Sequence, residues 1–213
     1  MILTNRMKYD ILELFIRGKG LKMKSLLSSK AKILSGTDLK RPVNAEENGN
    51  IFVVTRDDID EYNVLNFKHT IKMFSENINE EKFLKDGDIL FVIKGAKRIA
   101  SVVRNVPNNS IAVPSFCIIR LHNQQEISPE FLTWYLNQES VKASLNQFLV
   151  GVTIPSIQKK ALDTLEIPVI EYKEQQRILN IANLLQKEQK LMKDLLVKKD
   201  LLVTQRLLAR VEA

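Results

Sequence analysis

The chain has 213 residues, a net charge of +7 and a sequence pI of about 9.4. Its length is sufficient for one sizeable domain with an extension, and its 45% apolar content excludes bulk disorder. The positive charge favours an anionic partner such as nucleic acid or a membrane surface, while the single Cys117 excludes an internal disulfide and a cysteine-built zinc site.

The distribution of apolar residues argues against two cellular locations, the membrane and the secretory pathway. No apolar run approaches the roughly 18 residues that a membrane span requires. The N-terminus also lacks the uninterrupted apolar core and small-residue cleavage site of a secretory signal. We therefore expect a cytoplasmic protein with no membrane partner.

The first twenty residues predict a lead-in helix. Ile11, Leu12 and Phe15 fall on one side of a helical turn, and Gly18 and Gly20 are placed to end it. We expect segment 1–20 to pack on another element, of this chain or of a partner. Later in the chain, the polar stretch 37–50 predicts an exposed loop.

The middle of the chain is rich in β-strand patterns. The run 51–55 is β-branched and aromatic and predicts a strand, whereas the continuous apolar run 89–93 predicts a strand buried on both faces. A basic turn at 95–98 and a returning strand at 99–103 follow. The run 111–120 predicts a further single strand with Pro114 at an edge or a bulge.

Helix signals dominate from Ser128 onward. Ser128, Pro129 and Glu130 have the order of a cap, a first-turn proline and an acidic first turn, so they predict a helix beginning there. Trp134 and Tyr135 in that helix are interpreted as core residues beside Phe131. In the later loop 151–157, Ser156 is a candidate cap for a helix beginning at Ile157.

A long helix is predicted from about Glu171 to Val211, because this stretch contains no glycine or proline. About 40 helical residues span roughly 60 Å. Apolar residues recur with a seven-residue period, which is typical of a coiled coil, although Glu188, Lys199 and Arg206 interrupt the seam. A small domain cannot cover such a stripe, so we expect a partner helix. The predicted dimerisation residues are Ile178, Ile181, Leu185, Met192, Leu195 and Leu202.

In order and spacing, these motifs resemble the target recognition domain of a type I restriction-modification specificity subunit. The matching pieces are the FLTWYL helix, the turn Gly151-x-Thr153-Ile154-Pro155-x-Ile157, the strand Ile167-Pro168-Val169 and the helix start Glu174-Gln175-Gln176-Arg177-Ile178. The resemblance implies an α/β (α+β) recognition domain at 21–168, with a curved mixed sheet and flanking helices. One long C-terminal coiled-coil-forming helix at 169–213 would follow it.

The resemblance also implies partners. In the family, two recognition domains each read half of a split DNA site, and two long antiparallel helices separate them. This chain resembles one half, so two copies pairing through their helices would form a homodimer that reads a split palindrome on double-stranded DNA. Methylation subunits would dock on the helices and supply cofactor and catalysis. The presence of a restriction subunit remains open, and we expect no cofactor, no metal and no catalysis in this chain.

Basic residues beside predicted turns are the candidates for DNA contact, with a solvated basic surface as the alternative reading. Lysines would contact phosphates, arginines can also fork onto guanine, and Asn44, Asn105, Asn108 and Gln158 are weaker candidates for reading adenine. Thr153 is added because it lies at a loop tip. The full set is Lys40, Arg41, Arg56, Lys94, Lys97, Arg98, Arg104, Thr153, Lys159 and Lys160.

Two other functions remain open at this level. The chain has neither a cofactor-binding glycine loop nor an Asn/Asp-Pro-Pro-aromatic motif, which a methyltransferase would need, but a recognition domain detached from a fused methyltransferase-nuclease would lack them too. A coiled-coil interaction protein without a DNA role is the second alternative. The carboxylates of Asp57, Asp58, Asp60 and Glu61 cluster, yet they are interpreted as a strand end and turn rather than as a nuclease site.

Overall fold

The computed structural model describes residues 23–39, 45–46, 48–76, 78–95, 97–151, 153 and 155–211. The predicted lead-in helix at 1–20 lies outside these residues. The candidate contact residues Lys40, Arg41 and Asn44 lie outside them as well. All structural statements below concern the described part of the chain.

Short strands and helices precede one long helix in the described part of the chain. The strands are β1 (Met23–Leu26), β2 (Ala31–Ser35), β3 (Ile51–Val54), β4 (Ile71–Met73), β5 (Ile89–Val92), β6 (Ala100–Val102), β7 (Ser110–Ala112), β8 (Phe116–Leu121), β9 (Leu149–Val150), β10 (Ser156–Ile157) and β11 (Glu166–Val169). The α-helices are α1 (Leu27–Lys30), α2 (Pro129–Leu136), α3 (Glu139–Asn146), α4 (Lys159–Asp163) and α5 (Tyr172–Val211). Short 3₁₀ helices lie at Arg56–Asp58 and Glu80–Lys82.

The central sheet is antiparallel, with strand order β2-β8-β5-β6. Strand β5 is buried on both faces, as its continuous apolar run predicted. Ile89 and Phe91 face the core that the helices cover, while Leu90 and Val92 face a second core on the other side. Helices therefore cover one face of this sheet, and loops with the second sheet cover the other.

The second sheet has the order β4-β3-β7, with β3 antiparallel to β4 and parallel to β7. The single strand predicted over 111–120 is wrong in this respect, because the chain divides it into β7 and β8, which belong to different sheets. Pro114 lies in the intervening turn, where the Phe116 N–H donates to the Val113 carbonyl at 3.0 Å. A proline has no N–H for a strand ladder, so the break falls beside it.

Helix α2 begins as predicted. The Ser128 hydroxyl accepts from the Phe131 N–H at 3.2 Å, and Pro129 occupies the first turn. Trp134 and Tyr135 pack against the buried core, and the rings of Phe131 and Trp134 stack at 5.9 Å. The core interpretation of these aromatic residues is therefore confirmed.

The helix predicted to begin at Ile157 begins instead at Lys159, with Gln158 as its cap residue. Ser156 and Ile157 form β10, which pairs with β9. The Ile157 N–H donates to the Ile93 carbonyl at 2.9 Å, which keeps this segment extended at the end of β5. The prediction that Ser156 caps this helix was wrong because this long-range bond is not visible in a local pattern.

Helix α5 is anchored to the domain by its first two turns. The Gln175 side chain is 0% exposed, and its Nε2 donates to the carbonyls of Glu126 at 2.7 Å and Ile170 at 2.9 Å. Its Oε1 accepts from the Ser128 N–H at 2.8 Å. Leu179 is buried in the same core. The 40 residues of the helix agree with the predicted length, and no described helix is long and apolar enough to cross a membrane.

Candidate nucleic-acid interface

Three segments that are distant in sequence meet at the end of β5. Gly95 has φ 100°, and its N–H donates to the Pro155 carbonyl at 3.0 Å. Lys94 forms an isolated antiparallel β-bridge with Ser156 through the backbone. The Arg56 Nη1 lies 3.5 Å from the Lys94 carbonyl oxygen, where a side chain at position 95 would obstruct it. The 3₁₀ helix, the Gly95 turn and the 151–155 loop therefore form one surface.

This surface carries several exposed candidates, and we call it the basic cluster. Its members are Arg56, Lys94, Lys97 and Thr153, together with Lys159 and Lys160 at the start of α4, three and four residues after Ser156; all are exposed. Within the described ranges no carboxylate forms an ion pair with any of its cations. The positive charge of the cluster is therefore available to an anionic ligand.

Arg98, a candidate DNA contact from the sequence, does not belong to the exposed cluster. It is only 5% exposed, and its Nη1 donates to the Gly95 carbonyl. A second, longer bond reaches the Lys97 carbonyl at 3.4 Å. Arg98 thus holds the turn in shape, while its neighbour Lys97 faces solvent.

Arg104 lies at the opposite end of strand β6 from the Gly95 turn, so the structure does not bring it to the cluster. Its Nε donates to the Glu130 carboxylate at 3.0 Å. Burial raises the pKa of Glu130, but the hydrogen bonds from Arg104, its own backbone N–H and Ser128 outweigh that effect, so the pKa lies below its ordinary value. Asn105 and Asn108 share this end of the domain and are likewise remote from the cluster.

The acidic group after β3 holds turns. Asp58 is buried and accepts from the Thr55 N–H at 2.8 Å and the Thr70 hydroxyl at 2.9 Å. Asp60 accepts from the N–H groups of Tyr62 and Val64. The interpretation of this group as a turn agrees with these bonds. Across the described residues, no group of three or more His, Cys, Asp or Glu side chains is arranged to hold a metal ion.

Cys117 lies in β8 and is buried. Burial raises the pKa of its thiol to about 11, so the thiol is protonated and unreactive at neutral pH. It acts as a small core residue, as its apolar surroundings in the sequence indicated.

A protein-family comparison now identifies the chain. The model of the type I restriction modification DNA specificity domain matches residues 24–198. The chain belongs to this family. The resemblance stated from the sequence is therefore confirmed.

Solved structures show that the specificity domain has the expected fold. The S subunit of the type I restriction-modification system from M. genitalium is 19% identical with a TM-score of 0.51, and the match covers 79% of this chain and 40% of that one. The HsdS subunit from Thermoanaerobacter tengcongensis is 19% identical with a TM-score of 0.55, covering 86% and 45%.

A third structure, from work on complex assembly and conformational transition of the type I R-M system, matches at 19% identity with a TM-score of 0.60, covering 86% of this chain and 44% of that one. This chain therefore spans less than half the length of the solved chains it matches. These similarities confirm the mixed α/β fold with its long helix. No curated protein sequence matches the chain significantly.

The long helix of this specificity domain has an apolar face that its own domain does not cover. Of the predicted seam, Ile178 packs on the domain core, and Ile181 and Leu185 are half-buried. Further along, Leu184 is 68% exposed and Leu195 is 67% exposed. A shallow apolar groove runs along this stretch, lined by Leu184, Lys187, Glu188, Leu191, Met192 and Leu195.

A second contact between the helix and the domain was not predicted from the sequence. The Gln186 Nε2 donates to the Tyr62 carbonyl at 3.1 Å, and Lys193 forms an ion pair with Glu61. Lys190 lies 5.3 Å from the centroid of the Tyr62 ring. These partners are more than 120 residues apart along the chain, and no local pattern signals such a pairing.

Proposed function

We propose that this chain reads one half of a two-part site on double-stranded DNA, as the non-catalytic specificity subunit of a type I restriction-modification system. The observation that supports this most directly is the basic cluster, which three remote segments build in a domain of the DNA specificity family. Its cations are exposed and free of ion pairs in the described residues, so phosphate is a fitting ligand.

Within that cluster the residue types suggest different tasks. Lys94, Lys97 and Lys159 would neutralise phosphates and fix the position of the domain on the duplex. Arg56 can reach a base edge as well, since its guanidinium forks onto guanine O6 and N7. Thr153 lies at the tip of the loop and is the candidate for an additional base or phosphate contact. Arg98, which is buried, and Arg104, which pairs with Glu130, do not belong to this set.

We further propose that two copies pair through α5. The exposed leucines of the helix recur with a period of about seven residues, so a second copy offers the same stripe in return. A pair of chains would present two recognition domains. Twofold symmetry in the protein would then correspond to a split palindrome in DNA.

Partner subunits complete the proposal. Methylation subunits would dock on the paired helices and carry the cofactor and the catalytic groups, and a restriction subunit would join in systems that cleave. The complex would act on cellular DNA, so we propose that the chain is located in the cytoplasm. The chain itself would determine which sequence is modified.

Selection from a random duplex library tests the reading of DNA. The expected result is an enriched split palindrome, bound with an affinity that falls steeply as salt rises. No enrichment, together with no binding to random duplex at low salt, would instead favour a coiled-coil interaction protein. Enrichment of a single uninterrupted half-site by a monomer would favour a recognition domain detached from a fused methyltransferase-nuclease.

Co-purification with the methylation subunit tests the partner. The complex should methylate adenines within the selected site, whereas this chain alone should methylate none. Mapping the modified adenines on plasmid DNA gives the result directly. A complex that methylates plasmids lacking the selected site would contradict the proposal.

A further inference from the structure

We propose that Tyr62 is a positioning residue that sets the direction of α5 relative to the recognition domain, and with it the spacing between the two half-sites. The inference rests on the proposed function, because spacing has meaning only for a paired reader of DNA. Its structural basis is the second contact between the domain and the helix, which lies apart from the anchor at the helix start.

Two separated contacts fix a direction where one contact permits rotation. The first is Gln175, buried among Ser128, Glu126 and Ile170. The second is Tyr62, which the helix meets from Gln186 to Lys193. The distance along the helix from Gln175 to Lys190 is about 22 Å at 1.5 Å per residue. Without the second contact, the helix would pivot about its buried start.

Helix α5 contacts Tyr62 through one polar and two cationic side chains. The Gln186 Nε2 donates to the Tyr62 carbonyl at 3.1 Å. Lys190 and Lys193 lie 5.3 Å and 6.0 Å from the centroid of the Tyr62 ring, within the range of a cation–π interaction. Lys193 also forms an ion pair with Glu61, the residue before the tyrosine. One turn of the domain therefore contacts two successive turns of the helix.

The turn that carries Tyr62 is itself held firmly. The Asp60 carboxylate accepts from the Tyr62 N–H at 2.8 Å and the Val64 N–H at 2.9 Å. Asn63 adopts φ 62°, and its carbonyl accepts from the fully buried Ser101 hydroxyl at 2.7 Å. Ser101 belongs to β6 in the central sheet. The position of the ring is therefore tied to the sheet rather than to a freely moving loop.

The same segment also reaches the basic cluster. Arg56 lies only six residues before Tyr62. The Asn66 N–H, which follows Tyr62, donates to the Asp58 carbonyl, which precedes it, at 2.8 Å. One end of segment 55–66 thus supports a candidate DNA contact, and the other supports the helix. The segment connects the DNA-facing surface to the element that sets the distance to the second copy.

The length of the free part of the helix amplifies any change at Tyr62. Beyond Lys193 the helix continues to Val211, all of it exposed. A rotation of about 10° about the buried start at Gln175 would move Val211, about 54 Å away, by about 9 Å, which exceeds one base-pair rise of about 3.4 Å. A small loss of restraint at Tyr62 would therefore permit more than one spacing.

Spin-label distances test the restraint. Labels at Gln125→Cys on the domain and Lys198→Cys on the helix, in protein diluted with unlabelled copies, should give one narrow distance distribution. Cys117 is buried with a pKa of about 11 and should not be labelled. The double variant Glu61→Ala/Tyr62→Ala should broaden or shift the distribution. Tyr62→Phe keeps the ring and should preserve it, as should the control Val64→Ala in the same turn.

DNA selection tests the consequence. The wild-type protein should select two half-sites at one spacing, whereas the double variant should select the same half-sites at several spacings. The variant Lys190→Ala/Lys193→Ala removes the cation–π contacts and the ion pair from the helix side and leaves the Gln186 hydrogen bond in place. It should behave like the first double variant, and it provides the test if that variant does not fold. A single unchanged spacing in both folded variants would overturn this inference while leaving the proposed function intact. If the wild type selects no split site, the proposed function is overturned. In that case the spin labels still test the restraint, because an unchanged distance distribution in the double variants would refute it.

Discussion

The Gly95 N–H donates to the Pro155 carbonyl at 3.0 Å, which joins the basic turn after β5 to the loop after β9. This bond, with the Lys94–Ser156 bridge beside it, makes one surface from two segments that are far apart in the sequence. Lys97 and Thr153 share a surface because of it.

Gly95→Ala should destabilise the domain and weaken DNA binding. The φ of 100° at this position is strained for any residue with a Cβ, at a cost of about 1–2 kcal/mol. The new methyl group would also lie 2.7 Å from the present position of the Arg56 Nη1, which would have to move. Denaturant unfolding and duplex binding measure the two effects. Unchanged stability would contradict the strain that we assign to this turn.

Lys97→Ala and Arg98→Ala should impair different properties, DNA binding and stability respectively, although the residues are adjacent. Lys97→Ala should leave stability unchanged, weaken DNA binding and reduce the salt slope of binding by about one. Arg98→Ala removes the bond to the Gly95 carbonyl inside the fold and should cost about 1–3 kcal/mol of stability. Melting curves and a binding series across salt compare them. A stable Arg98→Ala protein with a lower salt slope would show that Arg98 contacts phosphate.

Gln175→Ala should loosen the attachment of α5. The change leaves the Ser128 N–H and the Glu126 carbonyl buried without their partner, so we expect a loss of about 2–3 kcal/mol. Gln189→Ala on the exposed part of the same helix is the matched control and should stay within about 0.5 kcal/mol of wild type. Chemical denaturation measures both. Equal stability of the two variants would show that the buried carboxamide is dispensable.

Leu191→Glu with Leu195→Glu should convert a concentration-dependent dimer into a monomer. Both leucines line the apolar groove of α5, and a charge there would have to be desolvated on pairing. Deleting 186–213 should have the same result. Sedimentation velocity over a concentration series measures the mass, with Gln189→Glu as a charge control. A dimer that survives both changes would place the pairing surface elsewhere.

The Arg104–Glu130 pair should contribute stability that is lost in acid. The pKa of Glu130 is lowered in the folded chain, so its contribution is present above the unfolded value near 4.5 and disappears as the pH falls through the folded value. Wild-type protein should therefore lose more stability on acidification than Arg104→Ala. Denaturation at a series of pH values between neutral and acid compares them. Parallel curves would mean that the pair carries no net stabilisation in solution.

Local patterns in the sequence determined several elements of this protein. The unbroken apolar run at Ile89 predicts a strand with cores on both faces, because every side chain in it must be buried. Ser128 and Pro129 predict the start of α2, since a cap and a first-turn proline act within one turn. The absence of glycine and proline after Glu171 determines a long helix. Motif order sufficed to indicate the family.

Only the tertiary structure decided which charged residues face the same way. Arg98 and Lys97 are equivalent by sequence, yet Arg98 is buried and donates to the Gly95 carbonyl, whereas Lys97 is exposed. Arg104 lies at the other end of β6 with Glu130, and Pro114 separates two strands into different sheets. Tyr62 contacts a helix more than 120 residues away. Such outcomes depend on how the chain packs around each side chain, and this packing leaves no periodic signal in the sequence.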